Sequence, residues 1–141
     1  MFTALGFRLS DRKGTTTVFM RCNPDHHGVG LIRGGDGLHH YAWEAASSHD
    51  LMRLADLLLD QRKRTLFGPG RHGPGMNQFH YHLDADGVLV EYAADIVKIY
   101  DDQTYHPLDW ENSAPFNEWG PEPPAEWMAS CTPFVLPTDK P

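Results

Sequence analysis

The sequence predicts an α+β domain. Three short β-branched runs near the start are separated by turn signals, one strongly amphipathic helix follows them, and three further strand-like runs come after the helix. At 141 residues the chain suffices for one domain with a core of its own.

The elements follow in order. Gly6–Ser10, Thr15–Cys22 and Gly28–Arg33 read as three consecutive strands, parted by Asp-Arg-Lys-Gly and Asn-Pro-Asp turns, so a β-meander opens the chain. A fourth strand over Leu38–Ala45 leads into Ser47-Ser48-His49-Asp50, where Ser47 and Asp50 form a capping box. Leu51, Leu54, Ala55, Leu58 and Leu59 then recur at helical spacing and predict one buried face through about Arg64. The basic run Arg62-Lys63-Arg64 falls at the predicted helix end, where it complements the dipole. Strands follow at Thr65–Phe67, Gln78–Leu83 and Val88–Tyr92, the last extending toward Tyr100, with Asp84-Ala85-Asp86-Gly87 as the hairpin turn. The pattern after Gly37 is therefore β-α-β-β-β. From about Tyr105 the chain turns to Pro, Trp and Asn, which predicts an ordered tail without regular elements, its Trp110, Phe116, Trp119 and Trp127 laid over the body.

Charge and composition exclude several functions. A net charge of −7 opposes non-specific nucleic-acid binding, which needs clustered Lys and Arg. Two distant cysteines, Cys22 and Cys131, support neither a disulfide framework nor a thiolate zinc site, and a reducing cytoplasm is expected. Neither a membrane span nor a signal peptide is evident. The "GPGRHGPG" stretch lacks the Gly-Lys-Ser/Thr ending of a phosphate loop.

Nine histidines carry the chemical signal. His26 and His27 stand at the mouth of the third strand, His39 and His40 open the fourth, His72 lies in the Gly-Pro loop, and His80 and His82 alternate along the sixth. Alternation puts His80 and His82 opposite Phe79 and Tyr81, on what reads as an exposed strand face. Glu91 sits in the apolar run "GVLVEYAAD", where an unpaired buried carboxylate would cost several kcal/mol. A solvent-facing edge position or a metal ion would each remove that cost, and imidazole with carboxylate suits iron, manganese or zinc. On pattern alone both readings of Glu91 stand.

Four segments in order, "FMRCNPDHHGVGLIRG", "GLHHYAWE", "GRHGPGMNQFHYHLDADGVLVEY" and "WGPEPPAEW", resemble the catalytic half of type I extradiol ring-cleaving catechol dioxygenases of the vicinal oxygen chelate superfamily, over Leu5 to about Pro133. The resemblance implies paired β-α-β-β-β modules whose sheets surround a metal, divided here into a partial first module (1–36), a second module (37–104) and a wrapping tail (105–141). It implies His40 and Glu91 as metal ligands, His27 as the histidine that hydrogen-bonds bound oxygen and acts in acid-base chemistry, and His72 and Tyr81 as contacts to the substrate hydroxyls. Asn77 and His39 are neighbours without an assigned role, His39 supporting the strand from its other side. Fe(II) is the implied cofactor, with Mn(II) an alternative, and a catechol-type diol and O2 are the implied substrates. The family's first metal-binding histidine lies on a strand before the helix that leads into "LGFRLSD", so the first module is expected to be truncated at its N-terminus; a fragment of a longer enzyme, a subunit whose sheet or metal site a partner chain completes, and a product that no longer catalyses are the three accounts, and a homo-oligomer is expected. A glyoxalase-like isomerase and a metal-free small-molecule binder of the same superfamily are the alternatives.

Overall fold

The computed structural model describes residues 1–110 and 116–134; Pro115, one of the tail prolines, lies outside them. The described chain divides into two compact units: residues 1–33, 70–78 and 95–120 form the first, and 34–69, 79–94 and 121 onward form the second.

In the first unit a 3-10 turn at Phe2–Leu5 precedes β1 (Arg8–Lys13), β2 (Thr17–Arg21) and β3 (Val29–Ile32), which pair antiparallel in that order. This is the expected meander with one correction: β1 runs through Asp-Arg-Lys instead of turning there. Its register slips between Leu9 and Asp11, a bulge that turns both Ser10 and Asp11 into the interior, where strict alternation would admit one of them. Buried Arg21 fastens the bulge, donating to Leu9 O and Ser10 Oγ at 2.9 Å each and pairing with Asp102.

In the second unit the predicted fourth strand is two, β4 (Gly37–Leu38) and β5 (Tyr41–Glu44), with His39 and His40 between them outside either ladder. Helix α1 (Ser48–Asp60) begins where the capping box puts it: Ser47 Oγ accepts from the Asp50 N–H at 3.2 Å, a cap of about 1 kcal/mol. It ends at Asp60, so Arg62-Lys63-Arg64 lies beyond the helix instead of closing it. Leu51 and Leu58 are buried, whereas Leu59 points outward at 68 % exposure. β6 (Phe67–His72) continues through the Gly-Pro stretch read as a loop. It can do so because Gly68 has φ +101°, and a Cβ there would lie 2.8 Å from Phe79 O. β7 (Gln78–Leu83) has its predicted bounds, and the turn to β8 (Leu89–Ala94) is held by Asp84 Oδ1, which accepts from the Asp86 and Val88 N–H groups. β5, β8, β7 and the start of β6 lie side by side in that order, β5 and β8 parallel with Ala42 opposite Glu91.

The tail is more regular than predicted. β9 (Asn117–Trp119) pairs with the end of β6 in the first unit, while α2 (Ala125–Ala129) and β10 (Thr132–Pro133) belong to the second, β10 on β4. Prolines 121, 123 and 124 precede α2, where a missing N–H costs a helix nothing, and the helix carries Trp127 onto Phe67 and Tyr81. Trp119, expected to be covered, is 49 % exposed. Both cysteines are free and exposed, and no described helix is long and apolar enough to cross a membrane.

His80 and His82 share a face as expected, but that face is buried. His80 is 1 % exposed, and both rings stack near Tyr92 at 5.9 and 5.7 Å. α1 packs on β8, and the Lys63 that follows the helix acts on His82, so this side of the sheet is not left to water. Neither His80 ring nitrogen finds a hydrogen-bond partner among the described residues. Burial, helped by His82, pushes its imidazole down to about 4. Unfolded, the same group titrates near 6.5, so its neutral form contributes fully above that value and the contribution is lost as pH falls toward 4. The expected loss is up to about 3 kcal/mol by pH 4. His80→Phe, which keeps the shape and removes both stranded nitrogens, should flatten urea midpoints measured between pH 7 and 4.5. An undiminished slope would contradict this.

Candidate metal centre

Glu91 lies on β8, paired in register with Ala42 of β5, and the next β7 residue on the same face is Tyr81. His40 is held just before β5. Its Nε2 lies 3.2 Å from Glu91 Oε2, and Glu91 is 6 % exposed, so the edge-strand reading of this carboxylate does not apply. The Tyr81 phenol, wholly buried, hydrogen-bonds to Glu91, and its ring stands edge-on to His40 at 5.3 Å. Burial, followed by the charge and hydrogen bond of Glu91, pushes that phenol well above its usual range, so it remains a donor at any physiological pH.

The role of His39 is plain in the geometry. Its Nε2 donates to the Trp127 carbonyl at 3.0 Å, because a carbonyl only accepts. Burial foremost, and then His40, lower its proton affinity, so the ring is neutral and its Nδ1 is an acceptor, 2.7 Å from His40 Nδ1. His40 must supply the proton of that bond. When the His40 ring holds that proton alone, its Nε2 turns a lone pair toward a carboxylate oxygen 3.2 Å away. The donor set of one imidazole and one carboxylate fits Fe(II) or Mn(II). Among the described residues no cluster of three or more metal-ligating side chains forms. His39→Phe, which frees the His40 ring to change tautomer, should weaken Mn(II) binding by about 10- to 100-fold in chelator competition. Unchanged affinity would contradict the role given to His39.

The other candidate residues belong to the first unit. His27 precedes β3, its Nδ1 2.8 Å from His26 Nδ1 and its ring 4.9 Å from Phe19. Gly75, with φ +79°, gives it room, since a Cβ there would stand 3.1 Å from His27 Cε1. His72 closes β6 opposite Asn117; its Nδ1 donates to Asn117 Oδ1 at 2.9 Å and its ring meets Phe116. The backbone N–H of His72 donates to Asn77 O, which places Asn77 beside it. Asp11, His26 and Asn117 carry no assigned role in the sequence reading. The signal for His26 and His39 was present in the two His-His pairs, each of which joins its rings through Nδ1 atoms.

A family model described as the glyoxalase/bleomycin resistance protein/dioxygenase superfamily matches residues 3–92. Metapyrocatechase 2 from Cupriavidus necator is 35% identical over 124 residues, covering 86% of this chain and 39% of that protein, so the chain spans about two fifths of the curated relative's length. The Mn(II)-bound glyoxalase from Novosphingobium aromaticivorans superposes with a TM-score of 0.80 at 31% identity, over 96% of this chain and 44% of that one. The 2,2',3-trihydroxybiphenyl 1,2-dioxygenase from Sphingomonas wittichii RW1 gives 0.74 at 28% identity, over 86% and 44%. With a family match over well more than half its length and an α+β fold shared with these structures, the chain belongs to the glyoxalase/bleomycin resistance protein/dioxygenase superfamily.

Proposed function

We propose that this chain carries two ligands and the acid-base groups of an extradiol ring-cleaving dioxygenase that uses Fe(II), with Mn(II) able to replace it, on catechol-type diols and O2. The observation that supports this reading most is the convergence of the His40 Nε2 lone pair and the buried Glu91 carboxylate at 3.2 Å, each oriented by its own hydrogen-bond partner. When bound, such a metal supplies Lewis acidity toward both diol oxygens and a path for electrons to dioxygen.

The rest is the work of side chains. His39 keeps the His40 lone pair turned toward the metal position. Tyr81 donates its one hydroxyl proton to Glu91, fixing its direction, and its oxygen keeps a lone pair to accept from a diol hydroxyl. His27 is the general acid and base, imidazole being a side chain suited to both tasks. His72, with Nδ1–H held by Asn117, presents an Nε2 acceptor to a substrate hydroxyl. A second copy of the chain completes the coordination sphere. The proposed setting is cytoplasmic, where a free-thiol protein with an oxidisable metal persists.

The test is a colour assay. Chain loaded with Fe(II) under anaerobic conditions is mixed with catechol or 2,3-dihydroxybiphenyl and then exposed to air, and the yellow ring-opened semialdehyde acid is the expected product. Metal uptake with no colour from either diol would move the function to a glyoxalase-like isomerase; diol binding without metal uptake would make the chain a binding protein.

A further inference from the structure

Asp11 is 2 % exposed and surrounded by donors. Its Oδ1 accepts from the Tyr105 hydroxyl at 3.0 Å and the Leu108 N–H at 2.8 Å, and its Oδ2 from the Trp110 indole N–H at 2.7 Å and from His26 Nε2 at 3.0 Å. Burial alone would raise its proton affinity, yet the bonds from His26, Leu108 and Trp110 outweigh it and hold the carboxyl below its ordinary range, so it is ionised. An ionised carboxylate only accepts. His26 Nε2 therefore carries a proton, and when the ring holds that proton alone its Nδ1 is the lone-pair nitrogen. That nitrogen lies 2.8 Å from His27 Nδ1, so the proton between them belongs to His27.

We propose that Asp11 and His26 are positioning residues for His27: the chain of bonds from the buried carboxylate fixes neutral His27 in its Nδ1–H form, leaves Nε2 as the proton-accepting nitrogen, and gives an accepted proton somewhere to go. When a proton arrives, an N–H bond forms at His27 Nε2, the one at His27 Nδ1 breaks, and a new one forms at His26 Nδ1. One proton enters and no electrons are transferred. The positive charge then sits on His26, in contact with the Asp11 carboxylate, where it is favoured. An unconstrained histidine in water prefers the opposite, Nε2–H tautomer, so the wiring has a visible signature.

The inference rests on the reading of His27 as the acid-base group, and its test does not require turnover. Chain labelled with heavy nitrogen in its histidines is examined by long-range proton–nitrogen NMR at about pH 8, above the ordinary histidine range. His27 signals are assigned by their loss in His27→Gln. In the wild type His27 should show a protonated Nδ1 and an unprotonated Nε2. In His26→Phe, which has no acceptor, it should revert to Nε2–H, and His26→Asn, which keeps an oxygen near the Nδ1 position, should restore Nδ1–H. A majority Nε2–H form in the wild type, or an unchanged tautomer in His26→Phe, would overturn the proposal; if His26→Phe does not fold, the wild-type spectrum decides alone. The expected tautomer without ring cleavage would sink the dioxygenase reading and leave the relay standing, and cleavage with the wrong tautomer would do the reverse.

Discussion

Asp11→Ala is expected to cost about 3–5 kcal/mol, the usual penalty for removing one partner of a buried charged network, and so to consume much of a domain's net stability. Four donors, His26 and three from residues 105–110, meet on this carboxylate. Two of them, the Leu108 N–H and the Trp110 indole, have no other chemistry than donation, and stranding them in the interior is the larger part of the cost. Asp11→Asn should be nearly as damaging. In either orientation its NH2 meets one of those two N–H groups, because they approach different oxygens. The pH dependence has a definite sign. The folded carboxyl titrates below its unfolded value of about 3.9, so its contribution is present above that value and lost as pH falls through the lower folded one. Urea unfolding of wild type and both variants at neutral pH measures the effect. A loss under about 1 kcal/mol, typical of a surface substitution, would show that the network does not hold the first unit together.

Much of the fold was legible because local chemistry and global packing agree along most of the chain. Ser47 and Asp50 announce the start of α1, the strictly alternating run at Gln78–Leu83 is β7, and Asp84 makes its turn through the side-chain bonds its residue type favours. Two of the misreadings share a cause, since polarity does not imply exposure. Asp11 in "LSDRK" looks like a turn residue and is a strand residue, since a bulge turns it inward and four donors compensate its burial. His80 and His82 look like the wet side of a strand and lie buried against Tyr92. In the tail, prolines conceal a five-residue helix whose one buried side chain, Trp127, joins the core of the second unit. For the candidate site, the residues named from the sequence form two groups: His40, Glu91 and Tyr81 in the second unit, His27 and His72 in the first. The two His-His pairs flag His26 and His39, but the bonds they make depend on ring orientation, which spacing does not encode, and nothing in the sequence marks Asn117 as the partner of His72.

The second large effect falls on metal loading. In the folded chain His40 Nε2 lies 3.2 Å from Oε2 of the buried Glu91. On the proposed reading a divalent ion uses both groups as ligands, so deleting either one should hurt more than the roughly 100-fold loss expected from an outer hydrogen bond. His40→Ala and Glu91→Ala are each expected to abolish retention of Fe(II) or Mn(II) through desalting, while their circular dichroism remains that of the wild type. The most direct measurement is elemental analysis of the anaerobically loaded wild type and of these two variants, with the mass of the loaded species in solution. Metal retained by an assembled wild-type oligomer and absent from both variants is the predicted result; equal metal content in the wild type and either variant would contradict the assignment of that residue as a ligand, and with it the metal centre itself.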